Sequence, residues 1–172
     1  MQTFYTDTTY EGTAKVLDYQ RLGKQRVEAK QILTALVFGT GWVNHPATKM
    51  WRGAELGLCH YGIVMCEEYS RRGYGKESVL QEYFENMATR FTPEDNDEPV
   101  WADDEVLILS HRSGLVRKNP EIYAPIWPDV PDDLEYAWPK LDRFGGYELS
   151  LSIAGKRRVD EGLRRSPLEI GL

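Results

Sequence analysis

The sequence predicts an all-α fold: a compact single-domain bundle of about four helices, with a proline- and aromatic-rich coil wrapped over the core. Three observations carry this expectation. Leu22, Ala29, Leu33 and Leu36 cluster on one side of a helix at about 100° per residue. Trp51, Ala54, Leu58, Tyr61, Met65 and Tyr69 recur at alternating steps of three and four. Pro125, Pro128, Pro131 and Pro139 fall among Trp127, Tyr136 and Trp138 and preclude long regular structure there.

Taken in order, the first helix is expected from Glu11 or Thr13 to Val37 or Phe38, ended by Gly39 and Gly41. Gly23 inside it costs about 1 kcal/mol relative to Ala and marks a close approach or a bend. Asn44-His45-Pro46 starts a second helix, since a capping polar residue precedes a proline in the first turn. Its end is Arg71-Arg72-Gly73, with bases in the last turn and a glycine stop. Gly53 and Gly57 lie four apart on another side, where a helix or ligand can come close. A shorter amphipathic segment at 77–91 carries Val79, Leu80, Tyr83, Phe84 and Met87, and an acidic loop at 92–99 follows. From Trp101 to Lys118 another helix is expected, although Val106 to Leu109 alone also fits a short strand. After Asn119-Pro120 comes a short turn of helix with Ile122 and Tyr123. Residues 1–144 are read as the helical domain, and 145–172 as a basic tail with Lys156, Arg157, Arg158, Arg164 and Arg165.

A chain of 172 residues suits one core. No apolar run approaches bilayer length, and MQTFYTDTTYEG lacks the basic and apolar regions of a signal peptide, so a cytoplasmic protein without a membrane partner is expected. Cys59 and Cys66 sit seven residues apart on one helix, about 10 Å along its axis, too far to bridge. They read as reduced core thiols. No metal site is expected, because no CxxC or HxxxH spacing accompanies them, and no cofactor is called for.

A net charge of −6 argues at first against a nucleic-acid ligand. The distribution changes that reading. Seven acids fall in residues 94–105 and four more in 129–135, and without those eleven the chain has a formal charge of +5. An acidic protein can therefore present a basic face, although a mixed solvated surface is the commoner meaning of a charge run.

Beside the apolar stripe of the first helix runs a second one: Arg21, Lys24, Glu28 and Gln31 at i, i+3, i+7 and i+10. A guanidinium, an amine and a carboxylate thus share one edge, suited to an anionic substrate, with the guanidinium one turn away disfavouring a charged amine. The same spacing also describes a solvated flank with a Lys24/Glu28 pair worth about 0.3–0.5 kcal/mol.

Four ordered segments carry a resemblance to a known family. They are Arg21 to Leu33 (Arg-Leu-Gly-Lys-Gln-x-x-Glu-Ala-x-Gln-Ile-Leu), His45 to Gly53 (His-Pro-x-x-x-Met-Trp-Arg-Gly), Ser110 to Tyr123, and Trp138-Pro139. Over about residues 3–139 the chain resembles the phage-type pyrimidine-dimer DNA glycosylases of the endonuclease V group, through a similar all-helical layout, the segment Cys66 to Tyr74 and the late Pro-x-x-Tyr region. It is more closely similar to an actinobacterial and phage branch named after them. The resemblance implies a DNA base-excision enzyme, a glycosylase with possible abasic-site lyase action on damaged or modified pyrimidines, and duplex DNA as its partner. Two departures stand out. The family's nucleophile is the α-amine of a threonine exposed by loss of the initiator Met, whereas Gln2 follows Met1 here and Thr3 is not terminal. The family's catalytic glutamate falls on Arg21.

A relocated mechanism would use Lys24 as the amine, with Arg21 beside it and Glu28 stabilising the oxocarbenium or shuttling protons. Arg52, His111, Arg112, Arg117 and Lys118 would hold phosphates, with His45 nearby, and Trp51, Trp127 or Trp138 would stack on an exposed base. Each has a plainer reading: Trp51 is in core phase, Arg117-Lys118 complement a helix C-terminus, and His45 neighbours a cap. Two other functions fit the same residues, namely a DNA- or protein-binding module without chemistry and an enzyme acting on free nucleotides.

Overall fold

Two short breaks divide what the apolar periodicity reads as continuous helices. The computed structural model describes residues 2–75, 79–92 and 98–150. The acids at 94–97, the residues 76–78 and the basic cluster of 156–165 lie outside the described residues. The first break falls at Leu17-Asp18, so that α1 (Tyr10–Val16) and α2 (Tyr19–Phe38) replace one long helix. Its cause is capping: the Asp18 carboxylate accepts the Arg21 amide at 3.0 Å and restarts the helix. At the other end Gly39, at φ 65°, donates to Ala35 O and closes α2.

The second break separates α3 (Pro46–Lys49) from α4 (Glu55–Arg71). Gly53 takes φ 81°, a conformation closed to most side chains, and its amide bonds the Glu55 carboxylate at 3.1 Å. Gly53 is thus the turn itself rather than a small residue on a helix face. Gly23 does mark a close approach, since a Cβ there would meet the Tyr69 ring at 3.5 Å.

α5 (Val79–Ala88) lays Phe84 and Met87 onto α4 at Gly62, where a Cβ would lie 2.6 Å from the Phe84 ring. α6 (Glu105–Lys118) begins only after a turn at Trp101–Asp104, whose Asp104 caps the Leu107 amide. α7 (Pro120–Tyr123) is the expected short turn. The remaining coil runs back over α6, and Ser110 and Ser113 hold it by accepting the Ala137 and Leu134 amides at 3.0 Å each. The sequence does not predict the next element. β1 (Trp138–Leu141) and β2 (Tyr147–Ser150) pair antiparallel, with Trp138 opposite Ser150, so the hairpin crosses the 144/145 boundary read from composition.

Helices dominate the described residues, and the all-α reading holds with this hairpin added. At the centre Trp51, Trp101, Tyr5 and Tyr61 are fully buried, with Trp51 and Trp101 edge to face at 5.0 Å. Cys59 and Cys66 are both buried, and neither is in a disulfide. No helix among the described residues is long and apolar enough to cross a membrane.

Candidate active site at the amino-terminal segment

Residues 3–6 are buried although they belong to no helix or strand, so their backbone polar groups need partners from elsewhere. Side chains from four helices supply them, α1 through the Thr13 hydroxyl, which accepts the Thr6 amide at 3.0 Å. Gln25 of α2 accepts the Phe4 amide at 2.9 Å and donates to Gln2 O at 3.1 Å. Tyr61 of α4 donates to Phe4 O at 2.8 Å. His111 of α6 accepts the Tyr5 amide on Nδ1 at 2.9 Å, and Arg112 donates to Thr6 O at 2.8 Å. Thr3 is wholly buried, and its hydroxyl accepts the Trp51 indole N–H at 2.9 Å.

The charged stripe of α2 runs along the rim of this buried segment. Glu28 is half-buried, and its carboxylate accepts a hydrogen bond from Gln25 at 3.3 Å. Burial raises its pKa above the usual carboxylate range, against the lowering pull of a Gln2 backbone hydrogen bond and of Lys24. Lys24 is exposed one turn before it. Arg21 is drawn the other way: it pairs with Asp18 at 3.0 Å and reaches Lys118 O at 3.4 Å. Its guanidinium is therefore held by Asp18 and the end of α6.

Residues 1–82 match the family model for pyrimidine dimer DNA glycosylase. The match supports the family resemblance carried by the α2 and α3 motifs, and it takes in Lys24, Glu28, Gln25 and His45 together. No curated protein and no solved structure matches the chain. The pyrimidine dimer DNA glycosylase match ends in α5, so α6, the coil and the hairpin lie beyond it.

Residues from both parts meet at the rim. His45 accepts the Ala47 amide on Nδ1, which leaves the proton of its neutral ring on Nε2, and its pKa is lowered by burial. Its ring meets the half-buried Trp138 edge to face at 6.2 Å. Tyr136 lies 5.9 Å from Trp138 and 5.6 Å from His111, and its hydroxyl is buried without a hydrogen-bond partner. Burial raises the Tyr136 pKa, opposed by Arg117 and Arg21. Nothing in the sequence sets Tyr136 apart as a site residue, since it is one aromatic among several in a proline-rich stretch.

Other phosphate-binding candidates are spread apart. His111 is fully buried, its pKa is pushed down to about 3 by burial, and its Nε2 faces the Gln2 amide at 3.2 Å. In this conformation it offers a phosphate neither surface nor charge, and it acts as a positioning residue for the amino-terminal segment. Trp51 is equally enclosed and cannot stack on a base. Arg112 is turned inward to Thr6 O and lies 5.4 Å from the Trp127 ring. Arg117 binds Asp132 O and Leu134 O, while Lys118 is exposed beside it at the end of α6. Arg52 is exposed beyond α3, on the side of the hairpin. Among the described residues no group of three His, Cys, Asp or Glu could hold a metal ion.

Proposed function

We propose that the protein is a DNA base-excision enzyme, a glycosylase with abasic-site lyase capacity acting on a damaged or modified pyrimidine. The observation that carries this reading is the Glu28 carboxyl, with its raised pKa, beside Lys24 at the rim of the buried amino-terminal segment. The family match over the same residues supports the substrate class.

In this reading Lys24 attacks the sugar C1′ of an extruded nucleotide with its lone pair, and the bond from C1′ to the base breaks. The base departs with that electron pair and takes up a proton delivered through Glu28, replaced by one from the attached ammonium. The Nζ lone pair then opens the sugar by breaking the C1′–O4′ bond, the remaining Nζ proton passes to O4′, and an imine is left between Nζ and C1′. His45, Tyr136 and Trp138 border the extruded base. Arg21 and Lys118 hold flanking phosphates at the junction of α2 and α6.

Borohydride trapping on ultraviolet-irradiated, uracil, hydroxymethyluracil and abasic duplexes tests this. A covalent adduct that maps to Lys24 by mass spectrometry and disappears in Lys24→Ala is the expected result. An undiminished adduct in Lys24→Ala moves the nucleophile to another amine. No cleavage and no adduct on any of the duplexes overturns the reading.

A further inference from the structure

Outside the family match, the hairpin does more than cover the core. Together with the α3 segment it walls a groove of 660 Å³. One wall carries Lys49 and Arg52, and the other carries Lys140 and Arg143. Against these four cations the lining holds one carboxylate, Asp142. That carboxylate is engaged in the hairpin turn, where its Oδ1 accepts the Phe144 and Gly146 amides at 2.7 and 3.0 Å. A lining with net charge +3 on a chain of net charge −6 is a local inversion of sign.

Among the described residues Lys49, Arg52 and Arg143 make no salt bridge. Lys140 pairs with Glu148 at 3.1 Å, but both side chains are about 70% exposed, and so solvated a pair yields readily to another anion. Trp138, Pro46 and Leu141 add an aromatic and apolar part to the lining. Trp138 also borders the candidate active site through its contacts with His45 and Tyr136, so the groove and that site share a residue.

Cations on two facing walls with a half-exposed indole between them suit a polyanion that also presents flat apolar faces. We propose that this groove holds an unpaired stretch of DNA strand, with phosphates on Lys49, Arg52, Lys140 and Arg143 and a base against Trp138. It deepens the reading above, which it presupposes for its biological setting, and it makes the hairpin the part that receives the strand opened next to the excised base.

The test is fluorescence anisotropy of a dye-labelled, undamaged single-stranded oligonucleotide and of the same sequence as a duplex, over a range of salt. The full-length protein is compared with Lys49→Glu/Arg52→Glu, Lys140→Glu/Arg143→Glu and Trp138→Ala. Each charge-reversed pair is expected to weaken single-strand binding at least tenfold and to flatten the salt slope by about 1.4, near 0.7 for each phosphate no longer neutralised. Trp138→Ala is expected to cost about tenfold with the slope unchanged. Thermal melts serve as the folding control: Lys49→Glu/Arg52→Glu is expected to melt like the parent, and Lys140→Glu/Arg143→Glu slightly lower, because it sets two carboxylates opposite each other at the 140/148 pair. Unchanged single-strand affinity in both charge-reversed pairs overturns the proposal. Duplex binding that is as tight and equally weakened also overturns it, because the groove would then hold a paired strand. Excision is measured separately on damaged duplexes, so a protein that binds as described but excises nothing removes the glycosylase reading and leaves the groove assignment intact.

Discussion

Asp18 and Tyr123 exchange two hydrogen bonds across the base of the fold: the Tyr123 hydroxyl donates to the Asp18 carboxylate at 2.7 Å and accepts the Asp18 amide at 3.0 Å. The same carboxylate caps α2 and pairs with Arg21. One side chain thus starts the helix that carries Lys24 and Glu28, docks α7, and sets the direction of the guanidinium.

Asp18→Ala is accordingly expected to lose more than a surface cap. The cap alone is worth about 1–2 kcal/mol, and the buried Tyr123 hydroxyl loses its acceptor at the same time. Urea denaturation should show a midpoint shift larger than that of Asp18→Asn, which keeps a capping oxygen. Equal stability of Asp18→Ala and the parent would remove Asp18 from this role.

The pH dependence of stability should carry the mark of His111. Its folded pKa of about 3 lies below the unfolded value near 6.5, so the unfolded chain binds more protons between those values. Stability is then complete above pH 6.5 and falls as the pH drops toward 3, by on the order of 5 kcal/mol. Glu68, held near 2 by hydrogen bonds from Arg71 and Arg72, adds a loss confined to lower pH, from 4.5 downward. Melting temperatures across pH 4.5–7 separate the two, because His111→Asn should flatten that interval and leave the more acidic limb in place.

Glu28 gives the opposite sign. A carboxyl whose folded pKa is raised costs stability once the pH passes from the unfolded value through the folded one. Glu28→Gln should therefore melt no lower than the parent at neutral pH while losing excision activity, the exchange of stability for function common at active sites. A variant that is less stable and fully active would assign Glu28 to structure alone.

Gly114 is the point where α6 yields space to the coil. A Cβ there would lie 2.5 Å from the Tyr136 ring, so Gly114→Ala must displace Tyr136 and with it Trp138. A destabilisation of about 1–3 kcal/mol is expected, with a change in Trp fluorescence. Gly62→Ala should cost a similar amount through Phe84, without altering DNA binding.

The helices were legible in the sequence because their apolar stripes are long and regular, as with Trp51 to Tyr69. Their breaks were not. The stripe from Trp51 to Tyr69 runs past Gly53 without losing phase, while the signals that stop the helices, a capping Asp18 and a left-handed Gly53, are single residues. The hairpin was hidden because Pro139 demotes a strand reading, although Gly145-Gly146 before Tyr147 marked the turn. At the site, the shared edge of Lys24 and Glu28 followed from helical spacing. The engagement of Arg21 by Asp18 did not, because it appears only once the helix restarts at the Asp18 cap, nor did the inward turn of His111, which depends on Tyr5 brought from far along the chain.

Residues 2–6 also order events during synthesis. They emerge from the ribosome well before the side chain that Tyr5 bonds, 106 positions further along, and closing so long a loop is among the costlier steps of assembly. Until α6 has been made, Phe4 and Tyr5 have only the part of their native shelter that Gln25, Tyr61 and Tyr10 provide, and the nascent chain displays the rest to chaperones and proteases. Docking of this segment is then the step that completes the rim of the candidate site, so a chain cut short before His111 would have helices and no finished site.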